Sequence, residues 1–388
     1  MTEEVFKMLT EKEIQTIRET VPLLKEHGQT ITSKFYDRLF IEHPELKNVF
    51  NQTNQKKGLQ SSALAMAVLA AAEHIDDLSP IVPVIMPVVY KHCALQVLPE
   101  HYPIVGENLL WAIKEVTGLT DDSEVIQTWG KAYQEIADAF IGLEQQVYEQ
   151  MAWSGFKPFE ITNISQETSI IKSFTVKSDD IDLSQFTPGQ YITVDIDSPK
   201  LPYNAKRHYS IVDGGKDYLT FGVRRDVSEG HEGEVSTILH DDIEVGDTIS
   251  LSAPVGGFGV VNSENKQLFL GSGVGVTPLV SMFRQAVSEH TPSTFVQVTS
   301  DSDNVAFEEM LKTIEQQDDN SNLALHYRDT EGYIKAEDLQ QLIDEDTEIY
   351  VCGGQSFINS MIVNLQTLNV PQGKIHFETF VPRLSFAV

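Results

Sequence analysis

The sequence predicts a multidomain fold: an all-α domain, then an antiparallel β-barrel, then an α/β domain on a parallel sheet. Three patterns predict it. Up to about residue 151, apolar residues recur at helical spacing. From 159 to 253, short runs rich in β-branched and aromatic residues are separated by Gly, Pro and Asp turns. Beyond 263, strand-like and helix-like stretches alternate, as the crossovers of a parallel sheet require. The divisions fall at 1–151, 153–262 and 263–388.

The 388 residues suffice for two or three domains, and 41% hydrophobic residues against 22% charged let each bury a core. A formal net charge of −29 repels phosphate backbones and anionic membranes, so no nucleic-acid partner is expected. No uncharged apolar run is long enough to cross a bilayer, and no stable membrane insertion is expected. The acidic start, Met1-Thr2-Glu3-Glu4-Val5-Phe6-Lys7, lacks the apolar core of a signal peptide. Cys93 and Cys352, far apart in the chain, are no disulfide framework and fit a reducing compartment. The expectation is a cytoplasmic monomer whose partners are small molecules.

In chain order, Thr10 and Glu13 form a capping box. Ile14, Ile17, Val21 and Leu24 follow at helical spacing, and His27-Gly28 is expected to end that helix. A second helix carries Phe35, Tyr36, Leu39 and Phe40, the last three on one face, and His43-Pro44 breaks it. Phe50 lies in the connection that follows. Gln60, Leu64 and Ala67 form one stripe; Gln60 is either a solvated helix-end residue or a polar group on an apolar face. Ile85, Val88, Val89 and His92 share a face, and Pro99 is expected to open the next helix, which carries Tyr102. The last helix holds Trp129, Tyr133, Ile136, Phe140 and Glu144.

A histidine aimed into an apolar pocket, with a tyrosine brought back beside it, suits an axial haem ligand with a hydrogen-bonding partner. The plainer reading of His92 is a core histidine satisfied by a local carbonyl. Glu144 extends the stripe of Ile136 and Phe140. It is either a snorkelling helix-end carboxylate or a buried one needing a donor, which Tyr102 can supply.

The barrel strands are expected at 159–164, 170–176, 191–196, 208–212, 218–223 and 248–253, after a linker at 155–159. Arg207-His208-Tyr209-Ser210 alternates along a strand, so Arg207 and Tyr209 point to one face. The arginine fork can hold a pyrophosphate and the tyrosine ring can cover a flavin; alternatively Arg207 is a surface strand charge. Gly233-Glu234-Val235-Ser236 reads as a glycine turn into a helix N-terminus, whose free N–H groups bind anions.

In the last domain, strands are expected at 267–270, 294–298, 323–326, 348–351 and 374–377. The first leads into Gly271-Ser272-Gly273-Val274-Gly275-Val276-Thr277-Pro278, a glycine turn at a strand's carboxyl end, where open sheets bind dinucleotides. Tyr350-Val351-Cys352-Gly353-Gly354 supplies a second such turn. Cys352 lies near the nicotinamide or is a buried apolar cysteine. Asp301 and Asp303 follow the second strand, where acidic groups disfavour a 2′-phosphate and favour NADH over NADPH.

About seven helices around one pocketed histidine resemble a globin. Phe35-Tyr36-Asp37-Arg38-Leu39-Phe40, Pro44-Glu45-Leu46-Lys47-Asn48-Val49-Phe50, Lys91-His92, Pro99-Glu100-His101-Tyr102 and Trp129-Gly130-Lys131-Ala132-Tyr133 resemble the globin domain of bacterial flavohaemoglobins. Arg207-x-Tyr209-Ser210 with Gly233-x-x-Ser236 resembles the FAD domain of the ferredoxin reductase family. Pro188-Gly189-Gln190-Tyr191 and Glu378-Thr379-Phe380-Val381-Pro382 extend the match. Many flavohaemoglobins have Cys-Phe-Gly-Pro at that last place; this chain has Thr379 and Val381, which leaves backbone contacts but alters the side chains.

The resemblance implies haem b, FAD and NADH or NADPH as cofactors. It makes His92 the proximal iron ligand, with Tyr102 and Glu144 in a relay behind it, Lys91 beside the haem tuning its potential, and Phe50 packed on it. Tyr36, Gln60 and Leu64 then line the distal pocket. Tyr191, Arg207, His208, Tyr209, Ser210, Gly233, Val235 and Ser236 hold FAD. Gly273, Val274, Gly275, Val276, Thr277, Pro278, Cys352 and Gly353 hold the nucleotide. Phe380, flanked by Thr379, Val381 and Pro382, stacks on the flavin, and Glu378 sits between flavin and haem. The implied activity is a nitric oxide dioxygenase acting on O2 and NO. The residues alone say only that a haem meets a flavin reductase. An NAD(P)H oxidase or haem or ferric reductase, and an oxygen sensor or carrier with a self-reducing module, remain alternatives.

Overall fold

Thr10 starts the helical part as a reciprocal cap. Its hydroxyl accepts from the Glu13 N–H at 3.3 Å, and the Glu13 carboxylate accepts from the Thr10 N–H at 2.7 Å. The computed structural model describes residues 9–51, 55, 58–228 and 231–380. They fall into two compact units: one runs to Met151 and includes Asp197–Lys206, and the other is Ala152–Ile196 with Arg207–Phe380.

In the first unit, α1 (Glu11–Glu19) is followed at once by α2 (Val21–Glu42). The helix break lies at Thr20, before Pro22, and not at His27-Gly28 as the local signal implies. Leu24, Gly28, Ile31, Phe35 and Leu39 are buried along one stripe of α2. A Cβ on Gly28 would just touch that of Ala65, at 3.5 Å. A 3₁₀ turn, Pro44–Asn48, leads toward α3 (Leu59–Glu73).

Helix α4 (Val82–Leu95) contains Pro87 and ends at Gln96, whose φ of 61° lies in the left-handed region. α5 (His101–Thr117) begins two residues later than Pro99, which sits in the preceding turn. α6 (Glu124–Gln150) is capped by the Ser123 hydroxyl. Ile17, Leu24, Phe35, Leu39, Leu109, Ile113 and Trp129 belong to the core these helices enclose.

The second unit opens with a closed antiparallel barrel of β1 (Lys157–Thr168), β2 (Ile171–Lys177), β3 (Tyr191–Ile196), β4 (Ala205–Gly214), β5 (Tyr218–Arg224) and β8 (Thr248–Leu251). Around the barrel the order is β1-β2-β5-β4-β3-β8. Lys157 and Pro158, expected in the linker, are already strand, paired with Leu251 and Ser250 of β8, and Phe159, where the strand was expected to start, packs inward against Trp153. A small hairpin of β6 (Val227–Ser228) and β7 (His231–Glu232) precedes α7 (Glu234–Asp241).

The remaining strands, β9 (Gln267–Ser272), β10 (Ser293–Thr299), β11 (Ser321–Tyr327), β12 (Glu348–Cys352) and β13 (Ile375–Glu378), form a parallel sheet in the order β11-β10-β9-β12-β13. Helices α8 (Val276–Ser288), α9 (Glu308–Glu315), α10 (Arg328–Glu331), α11 (Ala336–Gln340) and α12 (Gln355–Thr367) connect them. The order reverses between β9 and β12, the switch point where such sheets open a crevice. Ile171 and Val212 of the barrel share one core with Phe269, Val276, Phe283 and Phe307, so barrel and sheet are packed together. Among the described residues no helix is long and apolar enough to cross a membrane.

Candidate active site

His92 projects from the last turn of α4, and α5 and α6 bring two partners to it. Its Nδ1 lies 2.6 Å from Glu144 Oε1, and the Tyr102 hydroxyl donates to the same oxygen at 2.5 Å. The Glu144 side chain is 2% exposed, so its charge is taken up by these donors rather than by water. Burial first, and the Glu144 charge second, push the Tyr102 phenol far above its ordinary range. With Nδ1–H donated to a carboxylate, Nε2 carries the lone pair available to a metal.

On α2, Tyr36 is buried, and burial alone pushes its phenol well up, with no hydrogen bond or charge contributing. Its ring meets Phe50 edge-on at 5.7 Å and stacks with Phe40 at 5.9 Å. Gln60, in the first turn of α3, buries its side-chain oxygen without a hydrogen-bond partner among the described residues. That turn is tied to α2 where Thr32 donates to the Ser61 carbonyl at 2.9 Å and Ser62 donates to Gln29 at 3.0 Å. Leu64 packs half-buried one turn on, and Lys91 is half-buried beside His92. An imidazole prepared for a metal, and among the described residues a buried oxygen without a partner, suit a haem and a small polar ligand.

In the second unit, Arg207 and Tyr209 leave β4 on one face. Tyr209 stacks on Phe221 with ring centres 5.8 Å apart, and burial raises its phenol's pKa. Thr193 and His208 Nδ1 are hydrogen-bonded at 2.8 Å, and the His208 ring lies 5.0 Å from that of Tyr191. Ser210 is buried on the same strand. Gly233 caps α7 without a side-chain bond, which leaves first-turn N–H groups to an anion. A Cβ on Gly233 would lie 2.7 Å from Asp226 Cβ, so only glycine makes this turn. Val235 is buried, and the Ser236 hydroxyl accepts from the Asp226 N–H at 3.1 Å. Arg207 Nη2 lies 3.5 Å from Glu234 Oε2.

At the switch point the two glycine turns meet. A Cβ on Gly275 would lie 2.4 Å from Gly353 Cα, so neither turn tolerates a side chain against the other. Gly273 takes a φ of 57° in a 3₁₀ turn, Val274 accompanies it, and α8 then begins with Val276, Thr277 and Pro278. Cys352 is fully buried in the core, and its thiol is held protonated by burial first and by Glu378 second. Glu378 ends β13 beside it, Thr379 is half-buried, and Phe380 presents a half-exposed ring. Val381 and Pro382 lie outside the described residues. The side-chain-free cradle fits a dinucleotide, and the exposed ring fits a planar cofactor.

Three family models match in the same order: globin over 33–140, oxidoreductase FAD-binding domain over 157–259 and oxidoreductase NAD-binding domain over 269–362. A flavohemoprotein of Bacillus subtilis is 41% identical, over 98% of this chain and 99% of its own. The chain belongs to the flavohemoprotein family. A flavohemoprotein of Rhizobium meliloti is 36% identical over 97% of this chain and 99% of its own. The crystal structure of a Malassezia yamatoensis flavohemoglobin with bound FAD and haem, 19% identical, has the same fold, with a TM-score of 0.85 over 96% of this chain and 99% of that one. A flavohem-like FAD/NAD-binding domain of a nitric oxide dioxygenase from Vibrio cholerae is 25% identical, with a TM-score of 0.52, over 57% of this chain and 97% of that one.

As a flavohemoprotein, the chain is an oxidoreductase that joins a haem-binding globin to an FAD- and NAD-binding reductase. Two tyrosines support the relay from behind: Tyr133, placed on the last helix by its spacing but given no role, and Tyr148, which no pattern marks. Tyr133 donates to the Tyr102 carbonyl at 2.6 Å, its ring lying where a Cβ on Gly106 would be. Tyr148 donates to the Val97 carbonyl at 2.7 Å and so holds the chain just beyond His92. The signal for Tyr133 was present, since Tyr133, Ala137, Phe140 and Glu144 lie at helical spacing on one stripe. Tyr148 carried none.

Proposed function

We propose that this flavohemoprotein is a cytoplasmic, monomeric, NADH-dependent nitric oxide dioxygenase that removes NO as nitrate. The observation that carries the reading is the pairing of a carboxylate-backed His92 with Tyr36, whose phenol is shifted by burial alone, and Gln60, whose buried oxygen has no hydrogen-bond partner among the described residues. The name of the Vibrio cholerae relative supports it.

When bound, haem supplies the iron at which O2 and NO react, and FAD turns the electron pair of NADH into single-electron transfers. The residues of this chain prepare both. His92 ligates through Nε2, while Glu144 and Tyr102 fix the ring and keep it electron-rich, which favours oxygen chemistry over storage. Lys91 adds a positive charge beside the ring. Tyr36 and Gln60 offer hydrogen bonds to O2, and Phe50 and Leu64 keep water away.

Arg207 and the first turn of α7, with Gly233, Val235 and Ser236, bind the pyrophosphate of FAD. Tyr191, His208, Tyr209, Ser210 and Phe380 shape the flavin's bed. The turn at Gly273–Gly275, with Val276, Thr277, Pro278, Cys352 and Gly353, takes the nicotinamide nucleotide. Asp301 and Asp303 repel a 2′-phosphate. Glu378 and Thr379, at the end of β13, border the flavin. With FAD and haem bound, the residues of 263–388 and 153–262 would hold the groups that carry electrons toward the haem held by 1–151. Two buried free thiols suit the reducing cytoplasm.

Each NO joined to O2 takes one electron, and NADH carries two, so two nitrates should form per NADH. Measuring NO loss, nitrate and NADH together tests the proposal. NADH oxidation independent of NO, with peroxide or superoxide as product, would favour an oxidase. A lasting O2 complex without turnover would favour a carrier.

A further inference from the structure

Glu167, near the end of β1, is half-buried in the barrel wall and reaches out of it. One carboxylate oxygen accepts from the Ser173 hydroxyl at 2.6 Å, on the neighbouring strand β2. The other accepts from the backbone N–H of Phe307 at 3.2 Å, across 140 residues of chain and at the start of α9 beside the parallel sheet. Phe307 is no ordinary cap. Its φ of 59° lies in the left-handed region that side-chain-bearing residues rarely adopt, and such a conformation persists only where its surroundings hold it. A charge-assisted bond to its N–H is a hold of that kind.

The ring of Phe307 is 2% exposed and lies against Gly222 of β5. A Cβ on Gly222 would sit 3.1 Å from Phe307 Cζ and 2.5 Å from Thr277 Cγ2. One barrel glycine therefore receives both the residue that Glu167 holds and the first turn of the helix that follows the nucleotide turn. Next to it, Phe221 stacks on Tyr209, the ring proposed to cover the flavin. The barrel and the sheet are tied again where Ser281 accepts from the Gly189 N–H at 3.0 Å and where Arg284 faces Asp213 at 3.3 Å. Those ties hold the body of α8, whereas Glu167 holds the wedge beside Thr277.

We infer that Glu167 is a positioning residue for hydride transfer: by pinning Phe307 against Gly222 it sets the gap between the nicotinamide turn and the flavin bed. The inference rests on the reading of unit two as an NADH-to-flavin reductase. In that step the C4–H bond of NADH breaks, and the hydrogen and both electrons pass to the flavin, leaving NAD⁺.

The test is stopped-flow reduction of the flavin in the holoprotein by NADH without O2, with normal NADH and with NADH deuterated at the transferred position. Glu167→Ala removes both bonds. It should slow reduction about tenfold or more, enlarge the isotope effect, and leave flavin content and the dissociation constant for NADH within about twofold. Glu167→Gln can still accept from the Phe307 N–H and can donate to the Ser173 oxygen, so it should restore the rate to within about threefold. A Glu167→Ala protein that reduces its flavin at the wild-type rate and isotope effect overturns the proposal, as does a Glu167→Gln protein as slow as the alanine variant. If Glu167→Ala does not fold, Ser173→Ala removes only the anchor and should give a smaller slowing with the same enlarged isotope effect; no change there also overturns it. A wild-type protein that cannot reduce its flavin with NADH removes the reductase reading itself, and the proposal with it.

Discussion

The surroundings of His92 and those of Tyr36 and Gln60, both in the helical unit, are built on opposite plans. Around His92, each polar group finds a partner: Glu144 receives both the imidazole and Tyr102, and Tyr133 braces the Tyr102 backbone. Around Tyr36 and Gln60 the polar groups are buried among aromatic and aliphatic side chains, and the Gln60 oxygen has no hydrogen-bond partner among the described residues. A buried polar group left unmade costs a fold roughly 1–3 kcal/mol. The first side uses hydrogen bonds to orient one atom. The second keeps hydrogen-bonding capacity in reserve for something that is not part of the chain. Mutations on the two sides should therefore fail in different ways.

The largest effect is expected at the one residue that both plans serve. His92→Ala should yield a folded, yellow, flavin-containing protein with little or no haem, read from the ratio of Soret to flavin absorbance. Normal haem content would end the proximal assignment. Next comes Tyr36→Phe, which removes a preorganised donor and should cost roughly 3 kcal/mol, or about a hundredfold in NO consumption. O2 release should quicken, while reduction of a soluble dye by NADH stays near normal because those electrons leave from the flavin. Unchanged O2 release and nitrate formation would move the plain reductase reading ahead.

The contrast between the sides was partly legible in the sequence, because helical spacing is local information. The stripe that puts Glu144 in line with Phe140, and the one that puts Gln60 in line with Leu64, need only a few turns of one helix. The Thr10–Glu13 cap is similarly local and is found as read. His27-Gly28 misled for the complementary reason. Glycine weakens a helix locally, and only the buried stripe from Leu24 to Leu39 shows that this one continues. The glycine turns at 273–275 and 353–354 could each be read, but their contact at the switch point could not. Nothing in the sequence marks Phe307 as left-handed, since that conformation usually belongs to Gly, Asn or Asp. The group its N–H donates to, Glu167, is far away in the chain.

On the partnered side, Tyr102 and Glu144 should behave as one unit. Glu144→Gln keeps the shape but removes the charge that makes His92 a strong donor, and a loss of about tenfold in NO turnover is expected. Tyr102→Phe should cost less alone, because His92 still has its carboxylate. Combining the two should cost no more than the larger single loss, since each acts through the same imidazole. Fully additive losses in a double-mutant cycle would mean that the 2.5 Å contact between them carries nothing to the iron.

The smallest and sharpest effect belongs to Gln60, because there the two plans predict opposite signs. If its side chain were structural, like those around His92, replacing it would leave some partner unsatisfied and lower the melting temperature. Among the described residues its buried oxygen has no partner, however, so Gln60→Leu removes a desolvated dipole and breaks no bond among them to that oxygen. The turn that carries it stays tied by Thr32 and Ser62, neither of which the substitution touches. Thermal stability should therefore hold or rise by up to about 1 kcal/mol. NO turnover should fall only severalfold, since Tyr36 remains. Ligand release should quicken in the same direction as with Tyr36→Phe but less far. A clear loss of stability in Gln60→Leu, with ligand release unchanged, would place Gln60 among the groups that hold the protein together and leave Tyr36 as the pocket's only reserved donor.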